Sequence, residues 1–243
     1  MQFWALTDPG CVRPQNQDAY QMEQLDRNTL LCVVCDGMGG AKSGNVASNL
    51  AVDVFMEEVR RVWTSGMDQA AIDQMLEGAV KLANFTVFDQ AQQFAEFSGM
   101  GTTLVAMLVQ NKEVTIVNVG DSRAYGVNRN GIRRLTVDHS VVQLMVSRGE
   151  ITREQAKTYP GKSLITRAIG TETIVPCDIF HKKVSKGNFF LLCSDGLSNL
   201  MDDQEILFEV AHGQEKEKCC QRLLDIAKKR GAPDNVTSVL VAI

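Results

Sequence analysis

The period of the apolar residues changes several times along the chain, and each change marks an element. Residues 2–8 and 18–24 read as strands, and the run "TLLCVVC" at 29–35 as a buried strand. From about 41 to 63, Ala47, Leu50, Ala51, Val54, Phe55, Val59 and Val62 recur at helical spacing. Ile72, Met75, Leu76, Ala79, Ala83 and Val87 do the same between about 68 and 95. The pattern then returns to strands. "TTLVAMLV" and "EVTIVNVG" flank "QNKE", and "RAYGV" and "IRRLTV" flank "NRNG", which predicts two hairpins. Short helices and loops follow from 138 to 173, with Ser140 as the N-cap of a helix over 141–148. Strands at 174–184 and 187–193, helices at about 203–212 and 215–229, and a last strand at 236–242 complete the chain.

The order is strands, two helices, many strands, two helices, strand. Hairpins imply a mainly antiparallel sheet rather than a parallel one built from βαβ units. Helix pairs on sheets suggest one layered domain over 1–243, with 138–173 inserted at an edge.

Composition narrows the class only a little. Of the 243 residues, 44% are hydrophobic and 22% charged, which is globular and ample for a core. A net charge of -4 argues against nucleic acid, which calls for a basic face. No apolar run reaches the ~18 residues of a membrane span, and "MQFWALTDPG" has no signal-peptide pattern. Seven cysteines fit free thiols in a cytoplasmic protein better than a disulfide framework. Cys32-x-x-Cys35 has no second pair to complete a zinc site and sits in an apolar strand. Cys219 and Cys220 share a helical face with Leu223, Leu224 and Ala227 and read as core.

The aspartates carry the chemistry. Asp36 and Asp195 each end an apolar strand, and each is followed by Gly. Asp121 follows "VTIVNVG", Asp234 precedes the last strand, and Asp18 opens the second. Any one of them suits a turn or a cap. Five at strand edges suggest convergence. Gathered carboxylates raise one another's pKa and call for cations to offset the charge. Oxygen-only donors suit Mg²⁺ or Mn²⁺, and a pair of such ions can activate water and clamp a phosphoryl oxygen. Arg13, five residues before Asp18, has the side chain to grip phosphate bidentately.

At these positions the chain resembles the metal-dependent type 2C (PPM) serine/threonine protein phosphatases, especially their compact bacterial members. The likeness rests on "RPQNQDAY", "VVCDGMGG", "SGMGTTLV", "VGDSRAYGV", "LTVDHS", "LITRAIG", "LLCSDGLSNLM" and "GAPDNVTSVLV", which occur in the family's order across the whole chain. It implies an α+β fold, a four-layer α-β-β-α sandwich with two central antiparallel sheets and a small flap at 138–173. It also implies roles for residues. Asp36 would bridge two ions and the Gly37 carbonyl would bind one. Asp195 and Asp234 would complete the second ion's ligands, and Asp121 with Asp195 would hold a third. Asp18 would orient water at the ions, and Arg13 would take the phosphate. The implied reaction is in-line attack by a metal-bridging hydroxide on phosphoserine or phosphothreonine, without a phosphoenzyme. The implied partners are phosphorylated proteins, including a serine/threonine kinase whose signalling in a bacterium the enzyme would reverse. A monomer that binds neither membrane nor nucleic acid is expected.

Three departures from the family bear on mechanism. Gln17 stands where some members have an acid. Met38 stands where eukaryotic members have a histidine that protonates the leaving alcohol, so that role passes to water. Tyr159-Pro160 replaces a common His-Pro in the flap, which puts substrate preference in question. Among other readings, a serine hydrolase fails because Gly120-Asp121-Ser122-Arg123-Ala124 is not G-x-S-x-G, and no P-loop occurs. The three histidines form no catalytic pattern: His139 reads as a helix start, and His181 and His212 as surface. A non-catalytic module of the same shape would have lost a carboxylate. A phosphatase dedicated to one regulator would usually carry a sensor, for which this chain has no room.

Overall fold

Strand β3 (Thr29–Met38) shows why its stretch from Leu30 to Cys35 is apolar throughout. Side chains alternate across a strand. Leu31, Val33 and Cys35 are buried among residues of two long helices, while Leu30, Cys32 and Val34 are buried against a second sheet. With both faces covered, none of these six positions can be polar. The odd spacing puts Cys32 and Cys35 on opposite faces, so they cannot share a zinc ion. Both are free thiols whose pKa burial pushes up.

The computed structural model describes residues 1–243, except for the side chains of Ala41 and Lys42. One sheet runs in the order β2 (Asp18–Asp26), β3, β5 (Leu104–Gln110), β6 (Glu113–Val119), β9 (Asp178–Lys183), with the two-residue β4 (Gly101–Thr102) on the end of β3. The other runs β1 (Gln2–Asp8), β11 (Val236–Ala242), β10 (Phe189–Cys193), β7 (Arg123–Asn128), β8 (Gly131–Arg134). Every pairing is antiparallel.

Helices α1 (Gly40–Val62) and α2 (Gln69–Gln93) cover the first sheet through Ala47, Ala51, Phe55, Leu76 and Ala83. The second sheet is covered by α6 (Asp203–Leu207), a π-helical turn at Phe208–His212 and α7 (Cys219–Lys229), through Ile206, Val210, Cys219, Cys220, Leu223, Leu224 and Ala227. Between the sheets, Val105, Met107 and Ile116 meet Ala124, Phe190, Leu192, Val239 and Val241. The result is the four-layer α-β-β-α sandwich expected from the sequence.

Boundaries differ where tertiary contacts override the local pattern. β3 continues past residue 35 to Met38, because β4 pairs Gly37 with Thr102 and Met38 with Gly101. Asp36 therefore lies within a strand rather than at a turn. β9 starts only at Asp178, and the helix expected over 203–212 breaks into α6 and the π turn. A short helix after β10, α5 (Asp195–Ser198), lies where the sequence suggested only a turn.

The segment 138–173 holds α3 (Val141–Ser147), capped by the Ser140 side chain, and α4 (Arg153–Lys157), which has a Thr152–Gln155 capping box. It is moored by charge. Asp138 accepts from Arg123 Nη2 at 2.7 Å and from Arg134 Nη1 at 3.1 Å, and Arg134 Nη2 reaches Gln143 Oε1 at 3.0 Å. The Asp138 side chain is 8% exposed, and removing one member of a buried pair strands the other. Asp138→Ala should therefore lower stability by about 3 kcal/mol in urea unfolding. A loss under about 1 kcal/mol, the range of exposed pairs, would show that these charges do not moor the segment.

Candidate metal and phosphate site

Antiparallel pairing gathers particular strand ends at one edge of the sandwich. The end of β3 lies beside the starts of β2 and β5, and the end of β6 joins them. From the other sheet come the end of β10 and the starts of β7 and β11. The aspartates singled out in the sequence sit on these ends. Asp36, Asp121, Asp195 and Asp234 line one cleft of about 500 Å³, with Arg13, Pro14, Gln15, Gln17, Gly37 and Met38 on its walls. Asp18 lies directly across the strand pair from Asp36.

Asp36 is the centre of this charge. Its pKa is held well above the usual carboxylate range, first by burial and then by the charges of Asp18, Asp195, Asp121 and Asp234. Its backbone takes no part in holding its side chain. The Asp36 N–H donates to Thr103 Oγ1 at 2.9 Å, and its carbonyl accepts from the Thr103 N–H and Thr102 Oγ1, both at 2.9 Å. The carboxylate is thus left to face the cleft.

Asp18 is 6% exposed. One oxygen, Oδ2, accepts from Ser194 Oγ at 2.8 Å and Thr237 Oγ1 at 2.6 Å. The other, Oδ1, is buried without a partner. Burial raises the Asp18 pKa to about 7 against the two hydroxyls, with the charges of Asp195 and Asp234 adding to it. Asp121 is likewise raised to about 7, by burial and then by Asp195 and Asp138, with Arg123 opposing. Asp195 opens α5, where it accepts from Asn199 Nδ2 at 3.0 Å. Its pKa is raised by burial and by Asp234, and a hydrogen bond with Asp36 works the other way. Arg13 Nη2 donates to Asp234 Oδ2 at 2.8 Å, and that bond raises the guanidinium pKa. The arginine side chain is 52% exposed.

This donor set fits hard divalent cations. It is all oxygen, its carboxyls resist ionising without a counter-charge, and one buried carboxylate oxygen is unpartnered. Among the described residues, no three His, Cys, Asp or Glu side chains form a ready-made metal cage. The carboxylates line a cleft instead, which suits ions whose shells are completed by a backbone carbonyl and water.

Several positions are explained differently from the sequence reading. A Cβ on Gly37 would lie 2.1 Å from the Gly44 carbonyl oxygen and 2.6 Å from that of Gln17. The glycine is required by backbone packing, whatever its carbonyl binds. Gln17 Nε2 donates to the Gly40 carbonyl at 2.8 Å, so it tethers the start of α1. From 138–173, Ser163 and Ile165 reach the cleft; Tyr159 is not among its lining residues. His139 does precede the N-cap of α3, but it is buried, with Nδ1 accepting from the Gly120 N–H at 3.1 Å. His181 and His212 are exposed.

The sequence reading passed over the residues that aim the carboxylates: Thr102, Thr103, Ser194, Thr237 and Asn235. Thr103 Oγ1 also shares a 2.8 Å hydrogen bond with Ser122 Oγ, beside Asp121. The available signal was a hydroxyl or amide inside an apolar strand or next to an aspartate, as in "GMGTTLV" and "PDNVTS", where an unpaired group would be costly.

Comparison with known proteins agrees with this geometry. The protein phosphatase 2C family model matches residues 14–234. The serine/threonine phosphatase stp of Listeria monocytogenes is 33% identical over 235 residues, covering 97% of this chain and 93% of that protein. PstP of Mycobacterium tuberculosis is 33% identical over all of this chain and 45% of its own length. The crystal structure of Stp1 from Staphylococcus aureus superimposes with a TM-score of 0.93 at 38% identity, over 100% of this chain and 94% of that one. The catalytic domain of PstP in complex with two manganese ions gives 0.83 at 32% identity, over 98% and 96%. A match of this extent, on a fold that follows solved members nearly end to end, places the chain in the protein phosphatase 2C family.

Proposed function

We propose that the cleft hydrolyses phosphoserine and phosphothreonine in proteins, and that Asp36, Asp195, Asp234, Asp121 and the Gly37 carbonyl hold its metal ions. The chain is a metal-dependent serine/threonine phosphatase. The observation that carries the assignment to this cleft is geometric: Asp36, whose pKa is pushed up by burial and then by its neighbours' charges, lines it together with Asp121, Asp195, Asp234 and the half-exposed Arg13. Divalent ions bound there supply Lewis acidity, lowering the pKa of coordinated water and offsetting phosphoryl charge. Two core ions are expected, as Mn²⁺ or Mg²⁺, and a third at Asp121 and Asp195.

The chain's own groups do the rest. Arg13 grips non-bridging phosphate oxygens and sets the phosphorus for in-line attack by water. Asp18 turns its unpartnered Oδ1 to that water and orients it, while Ser194 and Thr237 hold the other oxygen in place. Met38 lines the cleft but has no proton to give, so the departing serine or threonine oxygen takes its proton from water. Segment 138–173 serves as a flap whose Ser163 and Ile165 meet the residues around the phosphoester. The substrates include a serine/threonine kinase, and the enzyme acts as a cytoplasmic monomer. No helix of the described residues is long and apolar enough to cross a membrane.

Chelation should abolish phosphate release from phosphopeptides, and Mn²⁺ should restore it; full activity in chelator would overturn the reading. The ion-free protein also has a pH signature. Asp18 and Asp121 have folded pKa values near 7, above the unfolded value near 3.9. Ionising them therefore costs folded-state stability as pH rises from about 4 to about 7. Ions relieve that cost, so the rise in Tm on adding Mn²⁺ should be larger at pH 7.5 than at pH 5. An equal rise at both would mean that these carboxyls do not face the ions.

Arg13→Ala should raise KM for a phosphopeptide roughly 10- to 100-fold, the ~1.5–3 kcal/mol of a charge-assisted hydrogen bond, with Mn²⁺ titration near wild type. An unchanged KM with altered ion affinity would move Arg13 to a purely structural role beside Asp234. Asp121→Asn should keep two ions by calorimetry, lose most turnover on phosphoprotein and recover partly at high Mn²⁺. Unchanged stoichiometry and kcat would return Asp121 to the turn before Arg123.

A further inference from the structure

The Arg13 side chain has one ion pair, to Asp234, and is half-exposed. Its loop, residues 9–17, contains no helix or strand. A long flexible side chain on such a loop cannot by itself set a phosphate to within the fraction of an ångström that in-line attack demands. Any precision has to come from the backbone on either side of it.

That backbone is held from one point. Asn235 Nδ2 donates to the Pro9 carbonyl at 3.0 Å and to the Gln15 carbonyl at 2.9 Å, while Asn235 Oδ1 accepts from the Gln17 N–H at 2.8 Å. The three bonds bracket Arg13 on both sides and span 226, 220 and 218 residues of sequence. The amide is a short side chain with both donors and an acceptor at its tip, and Asn235 is 4% exposed. Its ordinary use next to a strand would be a local turn, but these bonds all cross to the other end of the chain.

The loop is also pressed against the turn that carries Asp234. The Cys11 N–H donates to the Ala232 carbonyl at 2.9 Å. Gly10 has φ +79°, and a Cβ there would lie 2.3 Å from the Asp234 carbonyl oxygen and 2.7 Å from that of Ala232. Ala232 itself is buried with φ 27°, a conformation that a non-glycine residue keeps only when its surroundings enforce it.

We propose that Asn235 is a positioning residue for phosphate binding: through its three backbone contacts it sets the Arg13 loop against the Asp234 turn, so that the guanidinium and the ion-binding carboxylates address one phosphoryl group. The proposal rests on the reading of Arg13 as the phosphate ligand.

The test is a double-mutant cycle of Arg13→Ala and Asn235→Ala on a phosphopeptide, with thermal unfolding and Mn²⁺ titration of all four proteins. Asn235→Ala should raise KM on the order of 10-fold, with kcat changed far less. The double variant should have a KM within about twofold of that of Arg13→Ala, because groups acting through one contact are not additive. Mn²⁺ affinity should stay near wild type. If the Asn235→Ala chain does not fold, Asn235→Ser, which keeps a donor and an acceptor on a shorter arm, takes its place. Full multiplication of the two KM effects would overturn the proposal. So would a loss of Mn²⁺ binding with KM unchanged, which would make Asn235 a support for Asp234 alone. If Arg13→Ala leaves KM unaltered, the phosphate assignment of Arg13 fails and takes the proposal with it. If Arg13→Ala raises KM while Asn235→Ala does not, only the positioning role fails.

Discussion

Carboxylates that repel one another at a single edge are the constraint on which this structure depends. Asp36 feels the charges of Asp18, Asp195, Asp121 and Asp234. Left to themselves, such groups would turn to bulk water or protonate. They stay because each is mounted on backbone that has no freedom to retreat. Asp18 and Asp36 are locked opposite each other in the β2–β3 register, and Asp195 and Asp234 border β10 and β11, which pair in the other sheet. The sandwich thus stores repulsion in a form that divalent ions can relieve.

The rigidity of that mounting comes from burial on every side of the sheets. Leu31, Val33 and Cys35 are held by helices, and Leu30, Cys32 and Val34 by the facing sheet. A shift of one residue in register would exchange the two sets and turn Asp36 into the core. The polar fastenings are small: two threonine hydroxyls at Asp36, a serine and a threonine at Asp18, and one amide at the Arg13 loop. Short side chains lose little freedom on being fixed, so they aim the charged groups at low entropic cost.

Much of this was legible in the sequence. The long helices showed because their apolar stripes are wide, and the Asn128–Gly131 hairpin because turn chemistry is local. The aspartates showed because each borders an apolar run or, for Asp18, opens a strand. What stayed hidden depends on partners far along the chain. The extension of β3 to Met38 is set by pairing with Gly101 and Thr102, and α5 by a turn of only four residues. The role of Asn235 needs three contacts more than 200 residues away; an amide beside an aspartate in "PDNVTS" signals that it is paired but not with which residues. Gly37 was expected to offer its carbonyl to an ion, yet the need for glycine there comes from the Gly44 and Gln17 carbonyls, which a Cβ would meet.

The pairing of β1 with β11 carries a consequence for how the molecule comes into being. These strands lie at opposite ends of the sequence, with Gln2 beside Ala242 and Asp8 beside Val236. A chain emerging from the ribosome presents Arg13, Asp18 and Asp36 some 200 residues before Asp234 and Asn235. Contacts of such separation form slowly, after the local hairpins and helices. A nascent or clipped chain can therefore own a folded first sheet and still lack the second carboxylate wall and the anchor of the Arg13 loop. The Asp234 side of the cleft and the anchor of the Arg13 loop therefore come into being together, when β11 slots between β1 and β10.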